Sequence, residues 1–203
     1  FQPGISIFNN YGPDENGVWT LGLFKPTNNV FSSATGDGDY AVSGRITNLL
    51  YYANDGEELL HVGISGRQAS AVGVAGVAGR SVTYRARDAV RVGLSAGWPV
   101  PAGITLFGDD TQSANGELVG VYGPWTFQSE YLVNGLQDAS TTLGGPTENV
   151  TYHGGYAQLM LFLTGEHDHY EKKTGVFGRV KPHRNLFTPG LCGEMCGWGA
   201  WQI

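Results

Sequence analysis

The chain has 203 residues, of which 15% are charged and 32 are glycine, and its formal net charge is −6. So much glycine with so little charge excludes a mostly helical fold. The acidic balance argues against general nucleic-acid binding, which requires a basic surface, and we expect no nucleic acid among the partners.

No apolar stretch of the sequence is long enough for a transmembrane helix. The longest strongly apolar run covers residues 159–163, whereas a spanning helix needs about 20 apolar residues. A spanning strand needs only about 10 residues of alternating character. The sequence therefore excludes a helical membrane protein and leaves a membrane β-barrel open.

Five segments alternate apolar with polar or small side chains at a period of two, which predicts β-strands. In chain order they are residues 18–25, 39–51, 59–67, 80–87 and 125–134. The blocks 154–164 and 175–181 alternate less cleanly and are predicted as strands as well. Asn54-Asp55-Gly56 is typical of a tight hairpin turn, and Gly123-Pro124 separates two strands. We predict an all-β fold with a single antiparallel sheet of about ten strands.

Such alternation predicts a sheet with one apolar and one polar face, and two architectures fit it. A soluble β-sandwich would bury the apolar face against a second sheet. A membrane barrel would turn that face to lipid and place aromatic side chains near the strand ends. The 5 tryptophans, 10 tyrosines and 9 phenylalanines, many of them near predicted strand ends, favour the barrel.

Four sequence blocks resemble a known family when they are taken in chain order. They are RITNLLYYANDGEELLHVGISGRQ at 45–68, YRARDA at 84–89, NGELVGVYGPWTFQSEYLV at 115–133, and GGYAQLMLFLTGEH with GVFGRVKP within 154–182. These blocks are similar to strand motifs of the phosphate-selective porin O and P family, outer-membrane β-barrels of Gram-negative-type bacteria. The terminal GWGAWQI likewise resembles an internal strand of that family.

The resemblance implies an antiparallel transmembrane β-barrel, porin-like, with sixteen strands in the family's full barrel. We expect residues 1–203 to form a single β-barrel domain, partial at both ends. The resemblance also implies a homotrimer in the bacterial outer membrane, in contact with outer-membrane lipid. It implies no catalytic activity and no cofactor.

Passive conduction of small anions, with phosphate selectivity inherited from the family, is the function that the resemblance implies. Candidate pore-lining anion contacts are the cations on the polar faces of the predicted strands: Arg45, Arg67, Arg85, Arg87, Arg179 and Lys181. Guanidinium suits phosphate because its donors engage two oxygens at once. Alternatively, some of these arginines pair with Glu117 or Glu130 and brace the wall. The alternative function is a secreted or periplasmic β-sandwich module that binds glycans.

Two further groups of residues are candidates for a disulfide and for a metal site. Cys192 and Cys196 lie four residues apart, and either a disulfide or two free thiols fits this spacing in an oxidising compartment. The run from Glu166 to His169 is the densest group of potential metal ligands, but it lacks a third firm ligand. We therefore predict a solvated loop there and no metal site. No nucleophile elbow and no phosphate-binding P-loop is present, so we predict no enzyme.

Overall fold

The computed structural model describes residues 2–26, 39–72, 79–84, 103–185 and 197–203, and the structural statements below concern these ranges. Four predicted site residues, Arg85, Arg87, Cys192 and Cys196, lie outside them. The strands are β1 (Gly4–Tyr11), β2 (Gly17–Phe24), β3 (Ala41–Ala53), β4 (Glu58–Ser70), β5 (Ser81–Tyr84), β6 (Ile104–Phe107), β7 (Asp110–Tyr122), β8 (Trp125–Ala139), β9 (Glu148–Leu161), β10 (Tyr170–Glu171) and β11 (Val176–Phe177).

Seven strands form one antiparallel sheet in the order β1-β2-β3-β4-β7-β8-β9, while β5–β6 and β10–β11 form two separate two-stranded ladders. The all-β antiparallel fold is therefore confirmed. The prediction that block 175–181 is a strand of the sheet is wrong, because only Val176–Phe177 is extended and it pairs with β10. The count of about ten strands in a single sheet is not confirmed, since the described residues place seven strands in the main sheet. The closed sixteen-stranded barrel stays a prediction.

Most strands of the sheet are long for a soluble protein. β3, β4 and β7 have 13 residues each, β9 has 14 and β8 has 15. Thirteen residues extend over about 43 Å, and a tilt of roughly 40° leaves about 33 Å along the membrane normal, enough for a hydrocarbon core. Within the described ranges, no helix is long and apolar enough to cross a membrane.

The two ends of the sheet differ in the length of their connections. At one end, which we call the short-turn end, residues 12–16, 54–57 and 123–124 join neighbouring strands. At the other, the long-loop end, the connections cover residues 25–40, 71–109 and 140–147. The predicted Asn54-Asp55-Gly56 turn is confirmed, with all three residues at positive φ of 50°, 55° and 97°, which asparagine, aspartate and glycine tolerate best.

Strand register places the side chains on two contrasting faces. The apolar face carries Ile5, Ile7, Leu21, Leu23, Val42, Ile46, Ile64, Leu118, Phe127 and Leu159. The polar face carries Thr20, Ser43, Arg45, Ser65, Arg67, Ser113, Asn115, Glu117, Gln128 and Glu130. The predicted alternation is confirmed in β2, β3, β4 and β8.

The apolar face is open to the surroundings. Ile5 is 77% exposed, Ile64 65% and Leu23 58%. Burying one such side chain stabilises a soluble protein by roughly 1.5–3 kcal/mol, and a β-sandwich would bury the whole row beneath a second sheet. Among the described residues no second sheet covers this face, so these residues do not form a β-sandwich.

Both short ladders pack on the polar face, one from each end. The β5–β6 ladder lies at the long-loop end, where Leu106 contacts Leu136 and Ala139. The β10–β11 ladder lies at the short-turn end, where Tyr170 and Phe177 join the cluster of Leu49, Leu59, Val121 and Tyr52. A bulge between Leu49 and Tyr51 changes the strand parity, so Leu49 and Tyr52 point to the same face. The polar side chains in the middle of this face, which include Arg45, Arg67, Glu117 and Glu130, lie between these two apolar clusters and form what we call the central band.

Substituting arginine for Ile64, at the middle of β4, should destabilise the folded protein in lipid vesicles. A cationic side chain on a lipid face near the bilayer midplane costs about 2–4 kcal/mol. Asn115 lies on the polar face of the adjacent strand β7 and donates to Glu130, so Asn115→Arg is the matched control and should cost much less. Urea titration of the full-length gene product in vesicles measures both free energies of unfolding. Equal destabilisation by the two variants would contradict the assignment of the faces.

Candidate functional site

The middle of the polar face holds a cleft of about 220 Å³, which we call the polar cleft. Its lining includes Thr20, Ser43, Arg45, Ser65, Arg67 and Ser113. The strand register arranges them in two rows. Ser43, Arg67 and Ser113 lie directly opposite one another on β3, β4 and β7, and Thr20, Arg45 and Ser65 do so on β2, β3 and β4. Each arginine therefore has a hydroxyl-bearing residue directly opposite it on both neighbouring strands, which are spaced about 4.8 Å apart.

Arg45 is held in an ion pair. Its Nε and Nη2 donate to the same carboxylate oxygen, Oε1 of Glu117, at 3.0 and 2.6 Å, and Nη2 also donates to the carbonyl of Gly175 at 3.1 Å. The pairing of a wall arginine with Glu117, one of the alternatives left open by the sequence, is thus observed.

Arg67 differs from Arg45 because its hydrogen-bond partner is a neutral side chain. It is exposed, and its Nη2 donates to the side-chain oxygen of Gln2 at 2.6 Å. In the part of the chain that the structure describes, no carboxylate lies within ion-pair distance of Arg67. Its charge therefore remains available to a solute in the polar cleft.

The remaining predicted cations are not brought to the cleft. Arg179 and Lys181 are exposed and follow β11 in a segment outside the main sheet, so they are not on a wall strand. Their role as anion contacts stays a prediction, as does that of Arg85 and Arg87. The choice between a disulfide and two free thiols at Cys192 and Cys196 is likewise untested, because both lie outside the described residues.

A hairpin of residues 168–178, which contains β10 and β11 and which we call the strap, crosses the polar face towards the short-turn end. Side-chain hydrogen bonds tie it to β8, β4, β3 and β1, so it bridges most of the width of the sheet. They join Thr126 Oγ1 to Asp168 Oδ2 (2.6 Å), Tyr170 Oη to His61 Nδ1 (2.9 Å), Arg45 Nη2 to the Gly175 carbonyl (3.1 Å), and Asn10 Nδ2 to the Lys172 carbonyl (3.0 Å).

A relay of hydrogen bonds links the strap to Glu117. Burial raises the pKa of Tyr170 to about 12, so its hydroxyl keeps its proton and can donate to Nδ1 of His61. In the neutral imidazole the proton then lies on Nε2, which donates to Oε1 of Glu117 at 3.2 Å. At the strap's tip the Lys172 ammonium lies 3.9 Å from the centre of the Tyr52 ring, a cation–π contact.

Glu130 is the second carboxylate of the polar face and lies directly opposite Glu117 in the β7–β8 register. Its donors are neutral. The Tyr156 hydroxyl and Gln128 Nε2 donate to its Oε1 at 2.7 and 3.2 Å, and Asn115 Nδ2 donates to its Oε2 at 3.4 Å. In the described ranges Glu130 forms no ion pair, so two neighbouring carboxylates have different partners.

The predicted solvated loop at residues 166–169 is wrong for Glu166, whereas residues 167–169 are half-buried. Glu166 is only 2% exposed; it accepts hydrogen bonds from the Thr164 hydroxyl and from the backbone N–H of His183 at 3.0 Å. Asp168 accepts from Thr126. Within the described residues, no three His, Cys, Asp or Glu side chains are grouped as metal ligands. The carboxylates here hold the base of the strap.

Sequence reasoning missed His61, Tyr170 and Asn10 as parts of the site. Their partners lie 109 and 162 residues away along the chain, and no local pattern reports so distant a contact. The block RITNLLYYANDGEELLH contains His61, and strand alternation assigned this residue to one face of the sheet. Alternation does not identify a hydrogen-bond partner.

We predict that Gly175→Ala loosens the strap. A Cβ there would lie 2.6 Å from Oγ1 of Thr47 and 3.2 Å from Cβ of Val18, and φ is +65°. Gly144→Ala is the control, because Gly144 has a similar φ of +72° and nothing within 4 Å of the added carbon. Hydrogen exchange of the Gly178 amide, which donates to the His169 carbonyl, should become several-fold faster in Gly175→Ala alone. Similar acceleration in both variants would show that a general loss of stability, rather than the loss of strap docking, is responsible.

Acid should loosen the base of the strap through Glu166. Burial alone would raise its pKa, but the hydrogen bonds from Thr164 and His183 hold the pKa of Glu166 below its ordinary value. Its carboxylate therefore stabilises the fold fully above the ordinary pKa of about 4.3 and loses this contribution as pH falls through the folded value. Exchange of the His183 amide, corrected for its intrinsic rate, should accelerate below about pH 4 in the wild type but not in Glu166→Gln. The same pH dependence in both proteins would contradict this assignment.

Comparison with known families gives a match over the whole chain. A family model described as "Phosphate-selective porin O and P" matches residues 1–203, which is the whole chain. A search among curated proteins finds no significant match.

Proposed function

The chain is a member of the phosphate-selective porin O and P family, and from this premise we propose that it forms part of the wall of an outer-membrane pore that passively conducts small anions. In this proposal the polar face lines the aqueous path and the apolar face contacts lipid. The short-turn end faces the periplasm, since bacterial barrels have short periplasmic turns and longer outer loops. A homotrimer in the bacterial outer membrane is part of the proposal as the family expectation.

The observation that carries this proposal is the pairing of cations with hydroxyls on one face only. Arg45 and Arg67 both lie on the polar face, and each is flanked by hydroxyls on the two adjacent strands. Guanidinium and hydroxyl groups are donors for an oxyanion. On the opposite face the same strands present exposed aliphatic side chains.

No chemical step is required for conduction along this face. A hydrated anion exchanges part of its water for donors of the Arg67 row and then of the Arg45 row, and successive weak contacts let it leave. Arg67 is the stronger contact for an anion, because its hydrogen-bond partner is the neutral amide of Gln2 whereas Arg45 forms an ion pair with Glu117.

Neutralising Arg67 should therefore reduce anion preference. At roughly 7 Å in a water-like medium one charge contributes about 0.6 kcal/mol, a factor of about three in anion occupancy. The reversal potential of Arg67→Gln, measured for the full-length gene product in a planar bilayer under a KCl gradient, should shift towards cation permeability. Arg80→Gln is the control, because Arg80 is paired with Asp39 at 2.7 Å near the long-loop end, and it should shift the potential less.

Phosphate selectivity is tested separately by the block of chloride current by added phosphate. Block that weakens in Arg67→Gln would support a phosphate contact in the polar cleft. An unchanged reversal potential in Arg67→Gln would remove Arg67 from the conduction path, and unselective wild-type conductance would contradict anion selectivity while keeping a pore.

A further inference from the structure

We propose that Glu117 determines how tightly the pore holds an anion, by competing with the anion for the guanidinium of Arg45. This inference rests on the proposed function, because it concerns the affinity of the same polar cleft. In this inference the carboxylate of Glu117, and not only the cations, determines how specifically the cleft binds anions.

The geometry of the ion pair supports competition. A guanidinium binds an oxyanion best through two parallel donors, and two donors of Arg45, Nε and Nη2, already point to Oε1 of Glu117 at 3.0 and 2.6 Å. The side chains are 30% and 17% exposed, so solute in the cleft can reach the pair. An anion that binds Arg45 through this edge must share or displace the carboxylate.

The competitor is held in place by more than Arg45. His61 Nε2 lies 3.2 Å from the same oxygen, and Nδ1 of the ring is bonded to Tyr170 of the strap. Because these neighbours also hold the carboxylate, it remains available to compete for Arg45 as anions bind and dissociate. It lowers anion affinity by reducing both the available donors and the net positive charge.

Lower affinity suits conduction. A pore needs sites that attract the ion enough for entry and release it quickly enough for exit. With Arg67 facing a neutral amide and Arg45 facing Glu117, the two arginine rows form a stronger and a weaker contact. Removing the Glu117 charge should raise the affinity of the weaker contact, so that it releases phosphate more slowly.

Glu130 provides a matched control in the same wall. It lies opposite Glu117 on the same face, yet its donors are the neutral Tyr156, Gln128 and Asn115. Glu130→Gln removes one charge without freeing an arginine, whereas Glu117→Gln removes one charge and releases Arg45. The glutamine oxygen at 117 can still accept from His61.

The test is the phosphate concentration that blocks half of the chloride current through the full-length gene product in a planar bilayer. We expect Glu117→Gln to lower this concentration about tenfold, and Glu130→Gln to lower it no more than about threefold, the factor of one charge at roughly 7 Å in water. The double variant Arg45→Gln with Glu117→Gln should lose the gain. Equal shifts in the two single variants, or a gain that persists in the double variant, would overturn the inference.

A loosened strap is distinguished by Tyr170→Phe, which removes the bond to His61 and leaves Glu117 in place. If Tyr170→Phe tightens phosphate block as much as Glu117→Gln does, strap release rather than competition is the cause and the inference fails. Failure of the proposed function has a different signature, since the wild type itself would then show neither anion preference nor phosphate block.

Discussion

The whole structure depends on the alternation of side chains along seven hydrogen-bonded strands. Each strand must present apolar groups to one side and polar groups to the other, and cross-strand register keeps the choice the same from β1 to β9. A slip of one residue in β3 would turn Arg45 to the apolar face, beside Leu21 of β2 and Ile64 of β4. The register is therefore what places two arginines and their hydroxyl neighbours on one continuous face.

The polar face is organised in three zones that follow from its packing partners. Apolar clusters occupy both ends, because the β5–β6 ladder covers Leu136 and the strap covers Leu49 and Leu59. Between them lies the band with Arg45, Arg67 and the carboxylates. Glu117 connects the central band to the strap, since Arg45 and His61 both bond to its carboxylate and each also contacts the strap. The central band and the strap are consequently linked through one side chain.

The sequence predicted those features that arise from local pattern. Alternation assigned Trp125, Phe127, Tyr131 and Val133 of β8 to one face, and turn-forming residues located the connections at 54–56 and 123–124. Two cations of the site, Arg45 and Arg67, and one carboxylate partner were likewise identified. The prediction failed at block 175–181, where the alternation is weak and where the two extended residues, Val176 and Phe177, pair with β10 instead of with a strand of the main sheet.

The contacts that could not be predicted are long-range and specific. Arg45 and Arg67 lie in adjacent rows of the polar face, and the register between β3 and β4 decides which of them is close to Glu117. A bulge near Leu49 shifts this register by one residue. Burial of Glu166 depends on the chain's return at His183 and Trp201. Such outcomes follow from three-dimensional packing, for which composition and period carry no information.

The assignment of faces is tested most directly by spin labels placed singly at residues 127–134 of β8, in full-length protein whose Cys192 and Cys196 are replaced by serine. Collision with oxygen reports lipid and collision with a nickel complex reports water. The account predicts lipid exposure at Phe127, Ser129, Tyr131 and Val133 and water exposure at the positions between them. Ser129 and Leu132 are decisive, because their polarity is opposite to that of their face. Accessibility that follows the polarity of the native side chain, or that lacks a period of two, would contradict the account.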